Sequence, residues 1–255
     1  MRFGRKPAVH TRRTMRSALI MAKALDALGG PPDLSNDYIS AVVKQAPAGW
    51  GMMDNDSLGD CVCADTGHAL MLRTANVGPS IVVPTDADIV SLYEAVGGYS
   101  PSDPSTDQGC DETAMCQYLE TTGFLGHKSD AAAMVDVSNL AHVKWVVQLF
   151  GTCRIGFNVP AYAMTQFNNG QPWDLDPSGD QTVEGGHDVP IVGYKGDDLV
   201  VVTWGQIQHM TPAFLAQWAD EAHAELFADW IAVTGVAPSG LDLTQLTEDL
   251  QALQQ

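Results

Sequence analysis

A cysteine at the head of an apolar helical stretch, and a histidine at the head of an apolar strand half a chain away, constrain this sequence more than any other feature. Cys61 follows the turn-forming run Asn55-Asp56-Ser57-Leu58-Gly59-Asp60 and opens a segment reaching about Asn76. Its apolar residues Val62, Ala64, Ala69, Leu70 and Leu72 predict a helix. Unsatisfied backbone N–H groups and the positive end of the helix dipole then face the sulfur, which favours a thiolate. His187 stands in Gly185-Gly186-His187-Asp188-Val189-Pro190-Ile191-Val192-Gly193-Tyr194, the first arm of a hairpin that turns over 195–198 into the apolar run 199–203. A thiol nucleophile needs a base within hydrogen-bond reach, so the pair asks for a fold that sets a helix N-terminus against a strand.

The remaining periodicities supply such a plan. Residues 1–30 read as a basic arm and one amphipathic helix, with Met15, Ala18, Leu19, Ala22 and Leu25 on its apolar face and Gly29-Gly30-Pro31-Pro32 as its stop. Helices are expected over about 86–95, 112–121 and 137–150, and a strand over 153–159. A long polar loop holding Trp173 spans 166–186. Residues 214–227 predict a helix with Glu221 and Glu225 on a solvated face, and Leu243, Leu246, Leu250 and Leu253 line a last helix. Helices first and strands later give an α+β architecture.

The order of these marks, completed by Thr203-Trp204-Gly205, resembles the papain family of cysteine peptidases over roughly residues 48–210. It also resembles a group of uncharacterised bacterial and bacteriophage proteins that share Asn-Asp-x-x-Gly-Asp-Cys, Gly-Gly-His and Thr-Trp-Gly. The resemblance implies a two-lobe papain-like domain over 31–235, with a helical lobe at about 48–135 and an antiparallel β lobe at about 136–235. The arm 1–30 would precede it and a C-terminal helix, 236–255, would follow. It further implies Cys61 as nucleophile, His187 as base, and an oxyanion site made of the Cys61 N–H and the Asn55 amide. Asn55 stands where the family keeps glutamine, Gly59-Asp60-Cys61 stands for Gly-Ser-Cys, and Trp204 would cover His187. The sequence departs from the pattern at Val202, where the family has the asparagine that orients the histidine. Thr203 is the nearest substitute, so the resemblance implies a Cys-His dyad. Leu58 replaces the cysteine that partners the Cys110 position in secreted members.

Two functions follow as expectations: a thiol hydrolase, peptidase or amidase, acting on a peptide or protein without a cofactor, or a catalytically impaired papain-like component of a phage particle or other assembly. Asp60, next to the nucleophile, should oppose thiolate formation.

Composition narrows the partners. The formal charge is −18 with only 17% charged residues, which argues against nucleic acid for the body. Seven of the thirteen basic residues precede the first acidic one, Asp26, so residues 1–25 are suited to an acidic protein partner or to docking on the acidic body. Five cysteines imply no disulfide framework. The run 18–22 after Arg12-Arg13 is cut by Lys23 and Asp26, so no signal peptide is recognisable, and no membrane span is expected. A cytoplasmic or virion-associated protein is the expectation. No metal is expected: Leu58 spoils the calcium-loop pattern starting at Asp54, and Cys61-x-Cys63 lacks a second ligand pair for zinc. The carboxylates of 174–184 should rim the cleft and favour basic peptide segments.

Overall fold

Most of the helices begin where a short polar side chain takes up orphan N–H groups. In the computed structural model, which describes residues 1–33, 37–227, 230 and 242–254, Thr11 and Thr14 form a capping box at the start of α1 (Arg12–Asp26). Asp37 caps α2 (Tyr38–Gln45), and the Thr85/Asp88 box starts α4 (Asp86–Gly97). Asp111 caps α5 (Glu112–Thr121) and Asn139 caps α6 (Leu140–Phe150), which therefore starts three residues later than the apolar pattern predicts. Between them α3 (Cys61–Val77) is buried on nearly every side. It is the central helix of one core cluster, packed with Tyr38, Val42, Ile89, Leu92, Tyr93, Met115 and Leu119.

The second core cluster lies on a six-stranded antiparallel sheet in the order β1-β6-β2-β3-β4-β5. Its strands are β1 (Ala131–Met134), β2 (Cys153–Pro160), β3 (Val183–Lys195), β4 (Asp198–Thr203), β5 (Gln206–Met210) and β6 (Ala219–Leu226). The α+β plan of a helical N-terminal part and a β-rich C-terminal part is present. Short helices α7 (Ala161–Asn168) and α8 (Pro212–Trp218) connect strands, and the C-terminal helix α9 (Leu243–Gln251) packs Leu246 and Leu250 into the sheet-side core. The expected boundary at 235–236 lies outside the described residues.

Four sequence expectations are corrected. The run 214–227 is not one helix but α8 followed by β6, which is inserted between β1 and β2 with all of residues 221–226 buried. Glu221 and Glu225 are thus not on a solvated face: they are 2% and 5% exposed. The polar loop is shorter than 166–186, because α7 runs to Asn168 and β3 begins at Val183, and Trp173 is fully buried. Finally, α1 is rotated: Met15 and Leu19 are exposed at 60% and 72%, while Thr14, Ser17, Met21 and Leu25 face the core. That face is preferred because the Ser17 hydroxyl accepts the Met134 N–H at the sheet edge, an interaction no leucine offers.

The buried Glu225 of β6 shares one guanidinium with acids of α3 and β3. Arg154 Nη1 donates to Asp188 (2.6 Å) and to the Val62 carbonyl, Nη2 donates to Thr66 and Glu225 (3.1 Å), and Nη2 lies 3.2 Å from Asp65. This network joins α3, β3 and β6 across both cores. Removing one member of a buried ionic network strands the others without water, so Arg154→Ala should cost roughly 3–5 kcal/mol in urea unfolding. Arg2→Ala, which removes a pair with Asp107 whose arginine side lies in solvent, should cost less than Arg154→Ala, about 1 kcal/mol in the same assay.

Candidate active site

Cys61 is the first residue of α3, set there by a loop in which Met53 and Asp54 take left-handed φ angles of 56° and 59°. The Asn55 Nδ2 group donates to the Leu58 carbonyl (3.2 Å) and to Asp60 Oδ1 (3.0 Å), so both its protons are engaged. Asp60 makes no side-chain cap bond at α3, and its Oδ2 has no partner among the described residues. Burial pushes its carboxyl up to about 8, so it is neutral at pH 7 and opposes a thiolate at Cys61 less than a carboxylate would. Cys61 itself is 1% exposed, and burial, followed by the charge of Asp188, pushes its thiol well above the ordinary range. The backbone N–H groups of Asp188 and Gly4 act on the sulfur in the opposite sense.

That Asp188 N–H belongs to the residue after His187, which places β3 alongside the sulfur. His187 is 1% exposed; its Nε2 lies 2.8 Å from Thr203 Oγ1, and its Nδ1 has no partner among the described residues. The ring stacks on Trp204 at 4.5 Å and 18°, and Phe157 meets it edge-on. Trp204 holds this position at φ 45°, a left-handed conformation unusual for an aromatic residue, and Gly205 beside it is at φ 77° and bridged to Gly51. Burial, with the Arg5 charge as a second cause, lowers the His187 pKa to about 3. Asn55, Gly59 and Cys61 are thus together at the head of α3, and His187, Thr203 and Trp204 on β3 and at the end of β4; the Asp188 N–H links the two groups, and among the described residues no hydrogen bond joins Cys61 to His187. Val202 points into the core, leaving Thr203 as the histidine's polar neighbour.

The basic arm, suited by its charge to docking on the acidic body, lies in this cleft. Arg2 N donates to the Asn55 carbonyl, Arg5 N to the Gly186 carbonyl and Lys6 N to the Cys110 carbonyl, while Cys110 N donates to the Gly4 carbonyl, all at 2.7–3.0 Å. Phe3 meets both His187 and Trp204 edge-on. Gly4 passes so close to Gly59 that a Cβ on it would sit 1.8 Å from the Gly59 carbonyl oxygen. A cleft of about 430 Å³ remains around the arm, lined in part by Asp107, Gly109, Glu184 and Gly186. Of the acidic loop only Glu184 borders it; Asp174, Asp176 and Asp180 line a separate cleft of about 780 Å³ beside α7.

Other candidates behave as packing groups. His68 is buried with Nε2 3.0 Å from the Gly51 carbonyl, and burial lowers its pKa to about 4. All five cysteines are free and buried, and Cys63 is hydrogen-bonded to Cys110. Among the described residues no helix is long and apolar enough to cross a membrane.

No family model matches the chain, and no curated protein matches it in sequence. Its structure is similar to that of xylellain, a cysteine protease from Xylella fastidiosa, with a TM-score of 0.62 and 17% identity over 88% of this chain and 95% of that one. It is also similar to the cysteine protease and lectin-like domains of Cwp84, a surface layer associated protein of Clostridium difficile, with a TM-score of 0.52 and 10% identity over 86% of this chain and 60% of that one. The chain has a papain-like cysteine-peptidase fold.

The buried Asp60 gives a pH signature. Its folded pKa, about 8, lies above its ordinary 3.8, so the stability it contributes is complete below pH 3.8 and is lost as pH rises through 8. Between pH 7 and 9 the wild type should lose about 1.4 kcal/mol relative to Asp60→Asn, whose amide does not titrate. Chemical unfolding of both proteins at the two pH values measures the difference.

Proposed function

We propose that the protein is a thiol hydrolase of peptide or amide bonds that uses Cys61 and His187 as a dyad and is held latent by its own N-terminal arm. The observation that carries this reading is the division of labour at His187. Nε2 is engaged by Thr203, which leaves Nδ1, the unpartnered nitrogen, for the Cys61 thiol. In the step this supports, Nδ1 takes the thiol proton and the sulfur adds to the acyl carbon. The same proton then passes to the leaving amine, and water, activated by the imidazole, releases the acid from the thioester. The Cys61 N–H at the head of α3 is one oxyanion donor. The Asn55 amide becomes the second on releasing Asp60 or the Leu58 carbonyl. Trp204 shields the imidazole face from water.

Burial is the first cause that holds both groups neutral in this state, and the arm covers the site. Its Arg5 further disfavours the His187 imidazolium, while its Gly4 N–H draws Cys61 the other way. A second reading, an impaired papain-like binding or assembly component, is favoured by Val202 standing in place of the orienting asparagine. Its acidic partner would meet Arg12, Arg16 and Lys23, which are exposed, whereas Arg2, Arg5 and Arg13 are paired within the molecule.

The two readings separate on thiol reactivity. Gly4→Ala in the full chain collides with the Gly59 carbonyl and should eject the arm while leaving Cys61 and His187 intact. Its labelling by iodoacetamide at pH 7 should be at least about ten-fold faster than wild type, with the label on Cys61 by peptide mapping. His187→Ala in the same background should remove the gain. A Gly4→Ala protein that labels no faster than Gly4→Ala/Cys61→Ala contradicts the hydrolase reading.

A further inference from the structure

The arm that covers the candidate site inserts one side chain into an acidic pocket whose outer wall, Asp220, is partly exposed. Arg5 is flanked by backbone hydrogen bonds to the cleft walls at Gly186 and Cys110, and its own side chain is 1% exposed. Its Nη1 lies 2.7 Å from Asp220 Oδ1 and 3.4 Å from Glu221 Oε2, and its Nε lies 3.8 Å from Glu112 Oε1. The pocket exists because β2 carries Gly156 at this point: a Cβ there would lie 1.9 Å from Glu112 Oε1 and 2.5 Å from Arg5 Cδ. His223 backs the site, with Nε2 2.8 Å from Glu221 Oε1.

The fit is incomplete in an informative way. Glu112 is fully buried, yet among the described residues neither of its carboxyl oxygens has a hydrogen-bond partner, and Arg5 Nε lacks one too. Burial, followed by the charges of Asp188 and Glu221, pushes the Glu112 carboxyl well above its ordinary range, and a buried carboxyl group left unbonded is costly. Arg5 therefore fills the pocket without saturating it, and a guanidinium arriving on another backbone path can make the fork-to-carboxylate bonds that Arg5 misses.

We propose that this pocket, walled by Glu112, Asp220 and Glu221, is a specificity subsite for an arginine side chain of the substrate, and that Arg5 occupies it as an internal stand-in. The substrate class is thus an arginine-containing peptide with the arginine close to the attacked carbonyl. This rests on the hydrolase reading for its catalytic meaning, but the pocket's preference is a binding property and can be measured without catalysis. Glu112, Glu221 and His223 also hold ligand atoms within 4.8 Å of one another, a spacing that suits a metal ion. The cation lodged among them is the Arg5 guanidinium, which favours the organic ligand.

The test uses the full chain with Arg5→Ala, which empties the pocket. By calorimetry, Nα-acetyl-arginine amide should bind this variant at least ten-fold more tightly than the neutral isostere Nα-acetyl-citrulline amide, and wild type should bind neither at the same concentrations. Adding Glu221→Gln should abolish the preference. Should Arg5→Ala fail to fold, the arm-ejecting Gly4→Ala serves as host with the same expectation. In Gly4→Ala, an arginyl chloromethyl ketone should also label Cys61 at least ten-fold faster than its citrullyl counterpart. Equal binding of the two amides, or stabilisation by zinc ions in place of the arginine amide, overturns the proposal. Arginine binding without any Cys61 labelling leaves the pocket standing and removes the hydrolase reading; labelling without arginine preference does the reverse.

Discussion

The Arg154 guanidinium is the interaction on which the arrangement of the site depends. It sits on β2 and reaches the first turn of α3, the residue after His187 on β3, and Glu225 on β6. The helix that carries the sulfur and the strand that carries the imidazole are therefore indexed to each other by a single planar cation with fixed donor directions. Glu225, although buried, has a pKa below the ordinary range because Arg154 and Arg73 outweigh the cost of burial. Lysine at this position would offer one point charge where the structure uses several directed bonds.

A second buried cation, Arg5, repeats this logic next door, but its chain is the N-terminal arm rather than a strand. Two sets of carboxylates thus face the β2 region: one bound permanently by Arg154, the other served by a segment held mainly through backbone hydrogen bonds and the close packing of Gly4 against Gly59. The second arrangement is replaceable by any extended chain with the same side chain. That is the physical distinction between a structural ion cluster and a recognition pocket in this molecule. A minority of the 31 acidic residues is accordingly interior, with Asp60, Asp65, Glu112, Asp188, Glu221 and Glu225 among those buried.

What could be read from the residues alone was local. The helix at Cys61 and the hairpin at His187 follow from short runs with strong periodicity or turn chemistry, while the placing of Trp204 and Thr203 beside that histidine came from the papain resemblance. The strand β6 could not be read, because Glu221-Ala222-His223-Ala224-Glu225 places acids at helical i, i+4 spacing, and only burial on both faces of a central strand reveals it. The rotation of α1 was hidden for a related reason: Ser17 faces inward to accept the N–H of Met134, a residue 117 positions away. The arm's position depends on contacts more than a hundred residues away in sequence, such as Arg2 with Asp107 and Arg5 with Glu221, for which a single chain carries no local signal.

The insertion of β6 between β1 and β2 also sets an order of events in the cell. Strands β1 and β2 are complete by residue 160, but the strand that joins them is made of residues 219–226, and Arg154 meets Glu225 only then. Until that point two inner edges of the sheet have open backbone groups, and the arm's arginine has no Asp220 or Glu221 to meet. Closing the sheet is a late, high-contact-order event. During synthesis the chain passes through a long interval in which neither the sheet nor the occluded cleft is finished, and in that interval its unpaired edges are open to other chains and to chaperones.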